Sequence, residues 1–417
     1  MPKAVLIDYG CHSFTYRLAT HLDDLGFPVR YFANGSLESP NLNALPDWAR
    51  TRPRVVRSVQ CRRPYGKLNL HSRLRGELEW AGHCTRALEQ ENPSAVIASC
   101  VPLAAVMRIQ AWAGRRNIPF IYWLQDIQGR AIHDLLGRKL GLPGRVLGAF
   151  AYIWEQHLLD KSRMVITIAN GHERELPASV RREQRYQLLE NWANIEEFPQ
   201  LSNVNDWSVR HGLDKTLNVV YSGTLGLKHD LATLLSLASR FRNRPDLRVV
   251  VVSSGQAAES LRAEASANGL SNLIVLPFQP YGDVPKVLAS AAVLIAPLDA
   301  SAGSFCVPSK ILSYLCAGRP IVIAIDANNN AARAIEDTGA GFVVTPGDSN
   351  GFVSAVEGLL NDEPARLRAG RLARAYAEEA FSLDRITHSF LKIMARSNVS
   401  LDSGSVSPLQ TALAATV

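Results

Sequence analysis

Two stretches of this chain place glycine, hydroxyl and lysine residues directly after strand-like runs. The first contains Gly223, Thr224, Gly226 and Lys228, just after residues 218–222. Glycines allow backbone N–H groups to approach an anion closely, and a lysine supplies a point charge to a diphosphate. The pattern predicts a phosphate site in this turn. The alternative interpretation is an ordinary strand-to-helix turn with an exposed lysine.

The second stretch, residues 307–320, has the pattern of a loop, a helix and a tight turn between two apolar runs. Ser309 and Lys310 lie in the first turn of that helix, where backbone N–H groups favour a phosphate. Pro308, Ser309 and Lys310 are also an ordinary way to begin a helix. Combined with the first stretch, they are better explained as the other half of a diphosphate clamp, with Lys310 across the sheet from Gly223.

Asp126 and His12 are the candidate catalytic residues of the first half of the chain. Asp126 follows the apolar run 120–124, and His12 lies in the loop after the first apolar run, 4–7. Ligands of doubly wound sheets bind beyond the carboxyl ends of the strands, so both side chains are expected at a ligand site. The alternatives are that Asp126 caps the next helix and that His12 is structural.

Alternating strands and helices must position these residues. Seven candidate strands in the first half and six in the second are separated by helical patterns, and the strands are nearly all apolar. This alternation predicts mostly parallel sheets with helices on both faces. At 417 residues the chain also exceeds one ordinary core. We therefore expect an α/β protein of two Rossmann-like, doubly wound domains that face each other across a cleft.

The junction between the domains is predicted near residue 198, where residues 197–206 contain Pro199 and several Asn, Ser and Asp residues. The first domain would then span residues 1–198 and the second residues 199–380. A last helical pattern, 366–394, is interrupted at Phe381-Ser382-Leu383. Residues 397–417, rich in serine and small residues, are expected to form a disordered tail.

The basic charge of the chain is concentrated in one segment. The net charge is +7, and nine basic residues but no acidic one lie between Arg50 and Arg75. An anionic surface is the expected partner, either phospholipid or a lipid-linked diphosphate. Nucleic acid is disfavoured because only one aromatic residue, Tyr65, is interleaved there. The alternative interpretation is a solvated basic loop.

Several common functional patterns are absent from the sequence. It has no dinucleotide fingerprint after the first strand, no Walker A motif, no G-x-S-x-G and no H-E-x-x-H. Its six cysteines show no metal-ligand spacing. There is no signal-peptide pattern and no apolar run of about 18 residues that could span a membrane. A location in the cytoplasm is expected.

The two stretches described first, together with residues 189–199 and Trp123-Leu124-Gln125-Asp126, resemble motifs of a large enzyme family. The chain looks like a retaining glycosyltransferase of the GT-B fold and glycosyltransferase family 4-like type. It is most similar to the branch that acts in colanic acid, O-antigen and other exopolysaccharide assembly. The resemblance extends from Val5 to about Met394 and also implies a final helix, about 381–396, that crosses back onto the first domain.

The resemblance implies a nucleotide-diphosphate sugar as the donor, held mainly by the second domain. Gly223, Thr224 and Lys228 would face the diphosphate, with Ser309 and Lys310 near it. The base would lie against Phe278 in the turn 277–279. The family needs no metal, because lysine and helix dipoles neutralise the leaving diphosphate.

The resemblance also implies the course of the reaction and the acceptor. The sugar would be transferred with retention, by front-face attack, to a polyprenyl-diphosphate-linked glycan at the inner face of the membrane. Residues 135–147 mix basic and apolar types as membrane-interfacial segments do, although an ordinary buried helix start has the same composition. The alternative functions are a sugar-nucleotide epimerase or hydrolase of the same fold, and a catalytically inactive paralogue associated with the membrane.

The chain departs from the family pattern at three positions. Many relatives carry two glutamates, which here align with Ser313 and with a position near Phe305. Ser313 can still hydrogen-bond a ribose hydroxyl, but without the strength of a charged acceptor. Thr224 stands where many relatives place an arginine on the diphosphate. These departures leave the donor sugar open.

Overall fold

The computed structural model describes residues 4–36, 52–61, 70–226, 229–299 and 308–399. The chain divides into two compact units, Met1–Glu190 with Leu383–Val417, and Asn191–Ser382. The boundary between the two units, after Glu190, therefore lies about eight residues before the predicted junction at 198. Residues after this boundary are tied to the second unit, since Phe198 O accepts a 2.6 Å hydrogen bond from Arg374.

The first unit is built on a parallel seven-stranded sheet. Its strands follow the order β3-β2-β1-β4-β5-β6-β7. This is a doubly wound order, with the topological switch point between β1 and β4. Strand register at that point pairs Asp8 with Ser99. The strands are β1 (Ala4–Asp8), β2 (Val29–Asn34), β3 (Val56–Val59), β4 (Ala95–Ser99), β5 (Phe120–Leu124), β6 (Met164–Thr167) and β7 (Tyr186–Leu188).

Helices cover the sheet of the first unit on both faces. Trp80 and Trp123 are among the largest side chains that are fully buried in its core. The predicted α/β class is confirmed for this unit. Its helices before the second unit are α1 (Ser13–Asp24), α2 (Leu70–Glu91), α3 (Leu103–Arg115), α4 (Gln128–Lys161) and α5 (Ala178–Arg182).

The long helix α4 is a helical hairpin. Gly141 interrupts it with φ 62° and ψ −136°, and Pro143 follows inside the helix. The two halves then pack side by side, since a Cβ on Gly148 would lie 2.3 Å from His133 Cα and one on Gly129 would lie 2.7 Å from Tyr152 Cα. Glycine is required at these crossings because the backbones approach too closely for a side chain.

The second unit contains a parallel six-stranded sheet of order β10-β9-β8-β11-β12-β13. This order is also doubly wound, with its switch point between β8 and β11. The strands are almost entirely buried because helices pack against both faces. They are β8 (Leu217–Ser222), β9 (Leu247–Val252), β10 (Leu273–Leu276), β11 (Val293–Pro297), β12 (Ile321–Ala324) and β13 (Gly341–Val344).

The helices of the second unit follow its strands in alternation. Its last helix ends at Ala380, and Phe381 and Ser382 break the pattern as predicted. The helices are α6 (Asp206–Arg210), α7 (Leu231–Arg240), α8 (Gln256–Ala267), α9 (Val284–Ala289), α10 (Ser309–Ala317), α11 (Asn330–Thr338), α12 (Ser349–Asn361) and α13 (Glu363–Ala380).

The final helix, α14 (Leu383–Arg396), belongs to the first unit. His21 Nε2 lies 2.9 Å from Asp384 Oδ1, and the ring of Phe390 lies 6.1 Å from that of Trp123. Ser397, which the sequence assigns to the tail, is buried and donates to Ile393 O at 2.8 Å. The tail prediction for residues 400–417 lies outside the described residues. No helix in the described part of the chain is both long and apolar enough to cross a membrane.

Candidate functional site

The turn after β8 lies at the switch point of the second unit. Gly223 has φ +141°, in the region that favours glycine, and its N–H donates to Val252 O at 3.0 Å. The turn is fastened to the neighbouring strand β11, because Asp230 N donates to Pro297 O and His229 pairs with Leu298. The carboxyl ends of β8 and β11 are where a doubly wound sheet binds its ligand.

Lys310, in the first turn of α10, reaches over this turn. A Cβ on Gly223 would lie 3.2 Å from Lys310 Cε and 3.4 Å from Lys310 Nζ. The ammonium group donates to Tyr221 OH and lies 4.0 Å from the centre of the Tyr221 ring. The prediction that Lys310 and Gly223 lie across the sheet from each other is wrong, since they follow neighbouring strands and are in contact.

Hydrogen-bond donors converge beside Lys310. His229 Nε2 lies 3.1 Å from Lys310 Nζ, and Gly226 N donates to His229 Nδ1 at 3.0 Å. The lysine ammonium and the backbone N–H can only donate, and a neutral imidazole accepts at one nitrogen, so His229 can accept from only one of them at a time. Tyr221 OH, in turn, donates to Thr224 O at 2.7 Å and holds the turn in place.

The other predicted donor-site residues lie near the same edge of the sheet. Ser309 is exposed, and Ser313 is half-buried one turn further along α10. Thr224 is exposed in the β8 turn. Phe278, exposed to 49%, follows β10, and its N–H donates to Ser254 Oγ at 2.9 Å. Lys228 and Phe305 lie outside the described residues.

His12 lies at the switch point of the first unit, held by a buried carboxylate that the sequence did not single out. Asp8, the last residue of β1, is fully buried and its Oδ1 lies 3.0 Å from His12 Nδ1. Asp8 also accepts hydrogen bonds from the backbone N–H groups of Gly10 (2.8 Å) and His12 (2.7 Å), from Thr15 Oγ1 (2.5 Å) and from Tyr31 OH (3.1 Å).

The contact between Asp8 and His12 changes the pKa of both groups. Burial alone would lower the pKa of His12, but attraction to Asp8 and hydrogen bonds raise it well above its usual value. Burial alone would raise the pKa of Asp8, but the charge and hydrogen bonds of His12 keep it below its usual value. The His12 side chain is 39% exposed, so the ring is accessible while its orientation is fixed.

Cys100 completes a small cluster with this pair. Ligand atoms of Asp8, His12 and Cys100 lie within 4.8 Å of one another, and burial raises the pKa of the Cys100 thiol. The Asp8 oxygens already accept hydrogen bonds from five donors, which account for the arrangement. The expectation that the reaction needs no metal stays a prediction.

Asp126 lies at the carboxyl end of β5 and is exposed. The alternative interpretation of Asp126 as the cap of the next helix is wrong. Helix α4 begins at Gln128, and Gln128 N and Gly129 N each donate at 2.9 Å to the buried carboxylate of Glu155. Burial raises the pKa of Glu155 to about 7, and Asp126 is one of the negative groups that add to this shift.

Solved structures define the class of protein. The fold matches the crystal structure of Anabaena HepE in complex with UDP and glucose, with a TM-score of 0.72. The match covers 95% of this chain and 100% of HepE at 15% identity. Both units are doubly wound, and the chain therefore has the GT-B fold.

Family models then identify the relatives by sequence. Residues 9–192 match the model of the glycosyl transferase 4-like domain, and residues 216–362 match that of glycosyl transferases group 1. Together the two models cover most of the chain. The chain belongs to the GT4-like glycosyltransferases.

Two Escherichia coli proteins are among its curated relatives. WcaI of strain K12, named for glycosyl transfer in colanic acid biosynthesis, is 24% identical over 64% of this chain. O-antigen chain mannosyltransferase C is 25% identical over 42% of this chain. The alignments span 65% and 45% of those proteins, which is less than two thirds of the length of each.

Proposed function

We propose that this protein transfers a sugar from a nucleotide-diphosphate donor to a glycan acceptor in bacterial polysaccharide assembly. The observation that carries the proposal is the contact of Lys310 with Gly223 at the switch point of the second unit. A lysine, a helix N-terminus and a glycine turn at one sheet edge form a site for a diphosphate. Family membership supplies the sugar-transfer chemistry.

The donor would be held by the second unit. Lys310 would meet the diphosphate with the backbone of Gly223 and Thr224, and Ser309 would lie at the helix end beside it. Phe278, an exposed aromatic ring beyond β10, would pack against the base. Ser313, half-buried on α10, would hydrogen-bond a ribose hydroxyl. Lys228 stays a predicted diphosphate ligand by its place in the motif.

The transfer would proceed with retention of the anomeric configuration. The bond from the sugar C1 to the diphosphate oxygen breaks, and the acceptor oxygen forms its bond to C1 on the same face. The acceptor proton passes to the leaving diphosphate, whose growing charge the ammonium of Lys310 would neutralise without a metal. Retention rests on the family resemblance.

His12 and Asp126 would serve the sugar and the acceptor. Asp8 holds one ring nitrogen of His12, so the imidazole has a fixed orientation and stays protonated to a higher pH than a free histidine. Such a group can donate a hydrogen bond to a developing charge. Asp126 is exposed beyond β5. Its carboxylate could accept a proton, or a hydrogen bond from a hydroxyl group of the sugar or the glycan.

The acceptor is proposed to be a polyprenyl-diphosphate-linked glycan at the inner face of the membrane, with the enzyme in the cytoplasm. The names of the two Escherichia coli relatives, which refer to colanic acid and to O-antigen, support this class. The membrane role predicted for the segment between Arg50 and Arg75 stays a prediction, because Arg50, Arg62, Arg63 and Lys67 lie outside the described residues. Arg52, Arg57 and Arg73 pair with Asp24, Glu91 and Glu77.

The test is a transfer assay with UDP-, GDP-, ADP- and TDP-sugars and membrane-extracted lipid acceptor, with the anomeric configuration of the product determined by NMR. We expect donor-dependent glycosylation of the lipid with retention. Conversion of the donor to an epimer or a free sugar without lipid would favour the epimerase or hydrolase. No product and no nucleotide-dependent stabilisation would favour the inactive paralogue.

A further inference from the structure

We propose that the helical hairpin α4 docks this protein on an anionic lipid bilayer through one exposed apolar face. The proposal deepens the proposed function, because a lipid-linked acceptor lies in a membrane. It depends on the exposure, packing and charge of residues in the first unit and not on the donor site.

Exposed apolar side chains are concentrated in this hairpin. Of seventeen large hydrophobic side chains that are exposed in the described residues, eight lie between Leu135 and Trp154. Leu142 at the tip is 74% exposed, and Phe150 on the second half is 67% exposed. A contiguous patch of this kind on a water-soluble surface marks an interaction site. Five of the eight follow helical spacing along one face, namely Val146, Leu147, Phe150, Ile153 and Trp154.

The exposed stripe is not needed to hold the hairpin together. The opposite face of the second half contains Gly148, Leu158 and Leu159, which are buried. Gly148 lies against the backbone of His133 in the first half. The second half is therefore apolar on two faces, one of which packs inside the unit while the other faces outward. The outward face has the character of a helix lying in a membrane interface.

Positive charge flanks the stripe at the tip of the hairpin, while the exposed Asp134 of the first half pairs with His133. Arg138, Lys139 and Arg145 are exposed near the hairpin tip, and no described acidic side chain forms an ion pair with them. Long basic side chains of this kind can extend to lipid phosphates while their stems lie on apolar surface. Trp154 also lines a groove of about 860 Å³ that carries further cations and, in the described residues, no acidic side chain. These cations are Arg115, Lys161 and Arg163.

This charge favours a bilayer over a second copy of the chain. In a symmetric dimer built on the stripe, the basic residues at the tip would face either the same residues or the cations beside Trp154 of the other copy, which are like charges in both cases. An anionic bilayer supplies phosphates to the cations and hydrocarbon to the stripe at the same time. The Gly141–Pro143 bend would let both halves rest in the interface.

The experiment is flotation of the full-length protein with vesicles of phosphatidylcholine alone and with added phosphatidylglycerol. We expect binding to the anionic vesicles. Replacing Leu147, Phe150 and Ile153 by serine should weaken it by more than about tenfold, because the apolar insertion is lost. Replacing Arg138, Lys139 and Arg145 by glutamine should weaken binding to anionic vesicles and remove its salt dependence.

The matched control replaces Val209, Phe342 and Leu367 by serine, since these side chains are exposed to a similar degree in the second unit. Binding of this control should equal that of the wild type. Thermal stabilisation by a nucleoside diphosphate should be unchanged in all variants, so that failure of the donor site is seen separately. The proposal is overturned if the wild type does not bind anionic vesicles or if the stripe variant binds them as well as the wild type. It is also overturned if sedimentation shows a lipid-free dimer that the stripe variant dissociates.

Discussion

Lys310 lies directly over Gly223, so that a Cβ on the glycine would be 3.2 Å from Lys310 Cε. The glycine thus has two roles: it adopts φ +141°, and it leaves the space through which the lysine reaches the end of β8. The lysine can occupy this position because α10 begins in the loop after the neighbouring strand β11.

Replacing Gly223 by alanine should therefore impair donor binding far more than replacing Gly226. The Gly223→Ala variant strains the backbone and displaces Lys310, and we expect at least about tenfold weaker nucleotide binding. The control, Gly226→Ala, adds a Cβ in open space and keeps its N–H. Calorimetric titration of both variants measures the difference. Equal losses would show that the Lys310–Gly223 contact has no part in binding.

The Asp8–His12 pair predicts a histidine of unusual basicity. The pKa of His12 should lie well above its ordinary value of 6.5, because attraction to Asp8 outweighs the effect of burial. In Asp8→Asn the attraction is gone and the pKa should fall to 6.5 or below. NMR titration of the His12 ring measures both values, with Asp23→Asn, an exposed acid of α1, as the control. A wild-type pKa near 6.5 would refute this account of the pair.

The raised pKa of Glu155 predicts that the free energy of unfolding depends on pH. Burial raises its pKa to about 7, against an ordinary value of 4.5, so the folded protein holds this proton more tightly than the unfolded chain. The contribution of this proton to the free energy of unfolding is fully present below about pH 4.5 and is lost as the pH rises to 7. The total loss is on the order of 3 kcal/mol. Glu155→Gln should lack this part of the pH dependence, although it loses one of two helix-capping bonds. Denaturant unfolding at pH 5 and pH 8 compares the variants, and identical pH slopes would be inconsistent with the prediction.

The packing of the hairpin predicts that replacing Gly148 by alanine and replacing Gly358 by alanine have opposite effects on stability. Gly148→Ala places a Cβ 2.3 Å from His133 Cα and should lower the free energy of unfolding by about 1–3 kcal/mol. Gly358 lies in α12 with no atom within 4 Å of an added Cβ. Gly358→Ala should therefore raise the free energy of unfolding by up to about 1 kcal/mol, the helix-propensity difference. Thermal or denaturant unfolding gives both values. A harmless Gly148→Ala would mean that the two halves of α4 are not packed as described.

The sheets could be predicted from the sequence because buried parallel strands are continuous apolar runs. The run that contains Ala4 and the run that contains Ile321 both end within one residue of the observed strand ends. The sequence does not indicate the first half of α4, because its apolar residues are not periodic: Gly129 packs against backbone, and its exposed leucines fit no buried face. Its hairpin shape depends on contacts that only the folded chain brings together.

The candidate site was predictable where motifs are local and not where partners are distant. Lys310 and Gly223 could be named from glycine and lysine spacing, but their adjacency depends on the order of β8 and β11. Asp8 was overlooked because a buried aspartate at the end of an apolar run looks like a strand boundary. His229 and Tyr221 lie inside the predicted turn motif, and their role became visible only through their contacts with Lys310.

The central claim is that Lys310 binds the diphosphate of a nucleotide donor. The most direct test is calorimetric titration of UDP, GDP, ADP and TDP into the wild type, Lys310→Ala and the control Lys215→Ala, an exposed lysine of the second unit. We expect at least one nucleoside diphosphate to bind the wild type and Lys215→Ala equally, and Lys310→Ala to lose at least about 2 kcal/mol of binding free energy. Binding of equal strength to Lys310→Ala, or no binding by the wild type, would contradict the claim.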